Sequence, residues 1–193
     1  MVRRLIDVTL DNLRDAPDEV LSAVFWELDV DESAVEPEFE KEEWFSSTLL
    51  EWGTCGKMAL DEGRRSVGFA EYAPSAFFPR LSRYRAGTVS PDAIYLAYCY
   101  VVAERRGLGL GTELVRALAR DLVERGYVAV EAIGDRDWSD GWVLPAAFLG
   151  ANGFRVIRED HRFPLMRLDL LAAIEPREVL DAAAVPLPAP GVA

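Results

Sequence analysis

The chain has 193 residues, half of them apolar and 28% charged, with a formal net charge of −12. That is enough for one domain with a substantial core, and it excludes wholesale disorder. An acidic chain with no Lys/Arg-rich block offers no footprint for nucleic acid. No run of about 18 apolar residues is present to cross a membrane. The start MVRRLIDVTLDNL lacks the apolar core of a secretory signal, so a cytoplasmic protein is expected. Cys55 and Cys99 form no CxxC pair and His161 is the single histidine, which argues against a disulfide framework and a metal site. The acidity suits cationic substrates such as amines, although solubility alone also accounts for it.

In chain order, 4–10 reads as a first strand. Pro17 followed by DEVLSAVFWELD reads as a helix with Pro and acids at its start. Residues 38–52 (EFEKEEWFSSTLLEW) form a second helix closed by Gly53, and 57–61 and 66–73 are two strands joined at Asp61-Glu62-Gly63. Trp26, Trp44 and Trp52 fall on these helices as core. The Pro- and Arg-dotted stretch 76–92 is a long loop, a length often tied to function. Residues 93–102 (AIYLAYCYVV) suit a central strand buried on both faces. Leu110, Leu114, Val115, Leu118 and Leu122 share one helical face over 109–125, and Gly126 stops that helix. A strand at 128–133, a short helix at 145–151 and closing strands at 154–158 and 165–171 follow. Residues 1–174 are expected to form a single domain, and 175–193 a weak helix (175–184) and a fraying Pro/Ala-rich tail. The expected class is α/β (α+β): a mixed sheet of about seven strands with helices on both faces.

The segment VVAERRGLGLGT runs from the buried strand through a glycine-rich turn into the amphipathic helix. Glycines let phosphate oxygens approach the backbone. The first helical amides lack internal partners, and the helix dipole adds positive potential there, which together make an anion site. Arg105 and Arg106 add full charges. A Walker loop needs a Lys before Thr112 and is rejected. A dinucleotide GxGxxG matches Gly107 and Gly109 but not Thr112. Glu131 lies about where a ribose-binding acid would sit, so a nicotinamide-dependent oxidoreductase stays open. The pattern [R/Q]xxGx[G/A] is met in full by Arg106, Gly109 and Gly111.

On that pattern the chain resembles the GCN5-related N-acetyltransferase (GNAT) superfamily, most closely over 93–154. RRGLGLGTELVRAL looks like the family's acetyl-CoA loop and helix, and ANGFRVI like its closing GF strand. FWELD, KEEW, EWGTCGKM, FAEYAP, PAAFLGANGF and PLMRLDL are similar to a narrower group of bacterial members that implies no substrate. The resemblance implies a mostly antiparallel sheet with a splayed central strand pair. It also implies acetyl-CoA as donor, with pyrophosphate on the amides of Gly107, Leu108, Gly109, Leu110, Gly111 and Thr112. The pantetheine arm would lie along Cys99, Tyr100 and Val101. The acceptor would be the amine of a small molecule or a protein. Homodimerisation stays open.

Transfer to an amine needs a neutral nucleophile and therefore a base. Glu131, inside the apolar strand VAVEAIG, is one candidate, a paired structural Glu being the alternative. Glu71 in GFAEYAP is a second candidate, and Glu104 is expected to face solvent. The family's frequent Tyr donor, four residues before the GF glycine, is replaced by Leu149, and Val143 falls near the place of the Asn that often precedes it. Tyr98, Cys99 and Tyr100 are substitutes, or simply packing. Alternation puts Tyr98 and Tyr100 on one face and Cys99 on the other. Loss of the Tyr donor keeps a non-catalytic acyl-CoA-binding module open. Acids and indoles in 135–142 (DRDWSDGW) form either a grip for a cationic substrate or, the favoured reading, a plain surface loop.

Overall fold

The computed structural model describes residues 4–29, 35–138 and 141–171. The helix expected at 175–184 and the tail lie outside these residues. The elements are β1 (Arg4–Asp7), α1 (Asp18–Leu21), α2 (Pro37–Glu51), β2 (Gly56–Leu60), β3 (Ser66–Ala73), β4 (Ala93–Val101), α3 (Leu110–Glu124), β5 (Ala129–Asp135), β6 (Leu144–Pro145), α4 (Ala146–Ala151), β7 (Arg155–Arg158) and β8 (Leu165–Asp169). The sheet runs β1-β2-β3-β4-β5-β8-β7, with β6 joined to β5. Every pairing is antiparallel except β4–β5 and β5–β6. β6 is the strand the periodicity did not reveal, because two residues carry no alternation to read.

The helix expected after Pro17 ends at Leu21. Ser22 Oγ turns back onto the carbonyls of Asp18 and Glu19, at 2.8 and 3.3 Å, a local bond that competes with helix continuation. Downstream, the Trp26 amide donates to the Tyr98 hydroxyl at 3.1 Å instead of to a helical carbonyl. The loop 76–92 contains two 3-10 turns, Ser75–Phe77 and Pro79–Arg83.

Two apolar layers sandwich the sheet. On one face Leu110, Leu114, Leu118 and Leu122 of α3, with Leu149 of α4, pack against Ala70, Ile94, Leu96 and Val130. On the other, Trp26, Trp44 and Phe45 pack against Phe69, Tyr95, Tyr98 and Ile133. A polar anchor pins α3: Asp121 accepts from Tyr72 Oη at 3.0 Å, Lys57 Nζ at 3.1 Å and Arg125 Nη1 at 3.3 Å. Arg125 also donates to the Thr54 carbonyl at 2.7 Å and lies 3.8 Å above the Trp52 ring. These contacts tie the C-terminal end of α3 to β2, β3 and the segment after α2.

Candidate active site

β4 and β5 are paired at three positions only, Ala93↔Ala129, Ile94↔Val130 and Tyr95↔Glu131. Beyond them β5 takes β6 as a neighbour, Gly134↔Leu144 and Asp135↔Pro145. β4 keeps β3 on its other side up to Val101. Among the described residues, the edge of 98–101 that faces β5 therefore carries no ladder partner, and a gap opens in the middle of the sheet. This is the splay that the family resemblance implies.

The glycine turn closes the top of the gap. Gly107 and Gly109 have φ of 75° and 85°, the left-handed region where an L side chain costs about 1–2 kcal/mol. A Cβ at either position would meet nothing within 4 Å, so their backbone faces open space. Gly109 is the N-cap of the 15-residue α3 and no side chain caps it. The first helical amides are thus left for a ligand. Gly111 is required for a different reason: a Cβ there would come within 2.9 Å of the Phe148 ring. Arg106 Nε donates to the Val101 carbonyl at 2.9 Å, and its guanidinium lies 5.7 Å from the Tyr100 ring centre. That brace holds the turn against the strand.

The gap is a cleft of about 760 Å³. Cys99, Val101, Leu110, Gly111 and Phe148 line it on the α3 side, Tyr98, Tyr100 and Trp142 on the other, with Glu19 beside Tyr100, and Trp138 is a further lining residue. It thus passes through the sheet from one face to the other. Trp142 packs on Tyr98 and Tyr100, with ring centres 5.5 and 6.3 Å apart. Both indoles of the 135–142 segment line the cleft, which corrects the favoured reading of a plain surface loop. Pairing of β6 with β5 brings Gly141 and Trp142, just ahead of β6, to the cleft.

A bulge decides which residues face the cleft. β3 pairs Glu71 with Tyr98 but Tyr72 with Leu96, so Ala97 is an extra residue. Ala97 and Tyr98 consequently point to the same face, that of Trp26 and Phe45, and Cys99 to the α3 face. Bulges commonly re-aim a side chain beside a site in this way.

Behind Tyr98 lies a cluster of buried charges. The Tyr98 hydroxyl donates to Glu27 Oε2 at 2.7 Å. Lys41 of α2 bonds both Glu27 and, at 3.1 Å, Glu71 Oε2, and it lies 4.4 Å over the Tyr98 ring. The side chains of Glu27, Lys41 and Glu71 are wholly excluded from solvent. Burial, and then the Glu27 carboxylate, push Glu71 well above the usual range. Burial disfavours the charge on Lys41, but Glu27 and Glu71 outweigh it and hold the ammonium above its ordinary value. Burial, with Glu27 and Glu71 next, also raises Tyr98, so it is a neutral phenol.

Of the expected site residues, Tyr98, Cys99, Tyr100, Val101, Arg105, Arg106, Gly107, Gly109, Leu110, Gly111 and Thr112 all line this one cleft. Leu108 points outward, 70% exposed, so only its backbone is available to the site. Glu104 is exposed, as expected. Glu71 touches the cleft only through its neighbours. Glu131 is placed elsewhere: wholly buried, it takes Arg167 Nη1 at 3.1 Å and the Ser90 amide at 2.8 Å, the geometry of a paired structural Glu. Burial pushes the Cys99 thiol up to about 12, so it is no nucleophile at neutral pH. Leu149 is core and supplies no donor. Sequence reasoning missed Glu19, Glu27, Lys41 and Phe148. Lys41 left a readable signal: it shares the buried stripe of Trp44, Phe45 and Thr48, a core position at which a lysine demands a partner.

The description "Acetyltransferase (GNAT) family" fits a family model that matches residues 21–139. The chain belongs to this family, and it is an acetyl-CoA-dependent N-acetyltransferase. Among solved structures, a GNAT-family acetyltransferase from Staphylococcus aureus Mu50 is similar with a TM-score of 0.59 at 14% identity, over 86% of this chain and 98% of its own. A GNAT-family N-acetyltransferase from Escherichia coli, in complex with CoA, gives 0.54 at 16% identity over 88% and 83%. The PaiA N-acetyltransferase from Thermoplasma acidophilum, in complex with coenzyme A, gives 0.52 at 13% over 86% and 98%. No curated protein matches the chain. The nicotinamide alternative falls on two counts: the sheet is not a doubly wound parallel one, and Glu131 is spent on Arg167.

Proposed function

We propose that acetyl-CoA threads the gap between β4 and β5, with its pyrophosphate on the amides of 107–112 and its pantetheine arm along the free edge of Cys99, Tyr100 and Val101. Arg105 and Arg106 neutralise phosphate charge at the mouth. A primary amine enters from the opposite face, beside Tyr98, Tyr100 and Trp142, and attacks the thioester directly. The observation that carries this reading is the continuity of the cleft through the sheet at the uncapped start of α3. Donor and acceptor then meet from opposite sides without exchanging places, as direct transfer requires.

The acceptor face is aromatic and acidic: Tyr98, Tyr100 and Trp142 with the Glu19 carboxylate, which, after burial, raises Tyr100. Such walls favour a cationic amine with an apolar body, free or on a protein. Among the described residues no helix is long and apolar enough to cross a membrane. The free thiols of Cys55 and Cys99 suit a reducing cytoplasm. The test combines calorimetry with coenzyme A and thiol release from acetyl-CoA over a panel of primary amines, including phenethylamine, spermidine and short peptides. Micromolar binding with amine-dependent release is expected. Binding without release across the panel would make the chain an acyl-CoA-binding module, and absence of binding would remove the cofactor assignment.

A further inference from the structure

Glu27 of the α1–α2 connection, Lys41 of α2, Glu71 of β3 and Tyr98 of β4 meet behind the acceptor face of the cleft. Two carboxylates share one ammonium, and none of the three side chains reaches solvent. With both acids ionised the group carries one net negative charge, and with one proton bound it is neutral. A solvent-free site disfavours that net charge, which raises the affinity of the cluster for a proton. Glu71 Oε1 makes no hydrogen bond among the described residues, as an oxygen left over by this shortage of donors would be. The Cys55 thiol feels both Glu71 and Lys41, and burial keeps it protonated; Arg125, which acts on Cys55, is committed to Asp121 and to backbone carbonyls. The nearby guanidinium of Arg80 donates to the Leu28 carbonyl at 3.1 Å.

Tyr98 is the link between this cluster and the cleft. Tyr98 is a lining residue of the cleft, and its hydroxyl donates to Glu27 Oε2 while accepting the Trp26 amide. Resting on the acetyl-transfer reading above, we propose that the base of this enzyme is the buried Glu27–Lys41–Glu71 cluster, reached by the acceptor amine through the Tyr98 hydroxyl. An ammonium in the cleft gives a proton to the Tyr98 oxygen as Tyr98 passes its own to Glu27, so the phenol is neutral before and after. The freed lone pair attacks the acetyl carbonyl carbon. The C–N bond forms, the C–S bond breaks, and the second nitrogen proton goes to the leaving coenzyme A sulfur. The cluster, now neutral, returns its proton to water through Tyr98 once the products leave. Tyr98 is the catalytic residue in this scheme, and Glu27, Lys41 and Glu71 position it and set its proton affinity. Burial and the Glu27 charge hold the Glu71 carboxyl well above the usual carboxylate range, which makes the cluster a stronger proton acceptor than an exposed carboxylate.

The experiment is the pH profile of kcat and kcat/KM for acetyl transfer to the best amine of the panel, for the parent, Tyr98→Phe and Glu71→Gln. Coenzyme A affinity by calorimetry serves as the control for fold and donor site. Tyr98→Phe should keep that affinity, lose on the order of 10²–10³-fold in kcat, and follow only the ionisation of the amine itself. Glu71→Gln leaves a charge-balanced Glu27–Lys41 pair that needs no proton, so its acid limb should move to lower pH as kcat falls. A substrate-free arm follows the side-chain carboxyl carbons of ¹³C-labelled glutamate by NMR. One carboxyl should stay protonated well above the range of the others, and its signal should vanish in Glu71→Gln. Parental kcat and acid limb in a Tyr98→Phe enzyme that binds coenzyme A would overturn the relay alone, as would the lack of a late-titrating carboxyl. Failure of the parent to bind coenzyme A would overturn the acetyl-transfer reading and the relay with it.

Discussion

Replacing Glu71 by Gln should make the protein more stable, and increasingly so as pH rises. In the fold, Glu71 holds its proton to higher pH than in the unfolded chain, because burial and then Glu27 outweigh the attraction of Lys41. Below the ordinary value of 4.5 both states are protonated and stability does not change with pH through this group. As pH rises past that value, the unfolded chain releases the proton and the folded chain does not. Stability from this group is therefore fully present at low pH and is lost on the way up to the folded pKa. One proton's difference corresponds to a slope of about 1.4 kcal/mol per pH unit. Glutamine has the shape of the protonated acid, can donate its amide to Glu27 and accept from Lys41, and does not ionise in either state. The difference between Glu71→Gln and the parent should thus be small near pH 4.5 and grow at about that slope across the window. Asp92, Asp135, Asp160 and Asp169, all held low in the fold by arginines or amides, act in the opposite sense but equally in both proteins, so they cancel in the difference. Urea unfolding followed by tryptophan fluorescence from pH 4.5 to 8 measures it. Parallel stability curves for the two proteins would show that Glu71 ionises normally in the fold.

Gly109→Glu puts a side chain at φ 85° and a negative charge at the mouth of the anion site. Coenzyme A affinity should fall at least about 100-fold, with a stability loss near 1–2 kcal/mol, and unchanged affinity by calorimetry would remove the site from this turn. Gly111→Ala brings a Cβ into the Phe148 ring, so coenzyme A affinity should drop about tenfold. Phe148→Ala in the same chain should restore part of it, since the two effects share one contact, and simple additivity would contradict the proximity. Glu131→Gln removes the charge facing Arg167. Thermal unfolding should shift down by several degrees, the scale of about 1–3 kcal/mol for a weakened buried pair, whereas kcat per folded molecule stays at the parental level. A large fall in kcat at unchanged stability would return Glu131 to the chemistry. Iodoacetamide at pH 7.5 should leave both thiols unmodified in the folded protein, because burial pushes Cys99 up to about 12 and raises Cys55 as well. Rapid labelling would mean that the cleft admits solvent more freely than its lining implies.

Local chemistry was enough for much of this protein. The glycine spacing 107–111 specifies both the left-handed turn and the uncapped helix start, since φ and the orphan amides are properties of a few adjacent residues. The leucine stripe of α3, the β2–β3 hairpin and the central position of β4 follow from periodicity and turn residues in the same way. Which acids do chemistry did not follow, because a carboxylate in an apolar strand looks alike whether it meets Arg167, as Glu131 does, or Lys41, as Glu71 does. The bulge at Ala97 gives the physical reason in its simplest form. Unbroken alternation along β4 would have put Tyr98 on the face of Leu96, under α3. One unpaired residue, visible only once β3 lies beside β4, turns Tyr98 to the opposite face, where α1, α2 and their loop deliver Glu27 and Lys41 from far away in the chain. Proximity between distant residues is set by how the layers pack, and no local pattern encodes it.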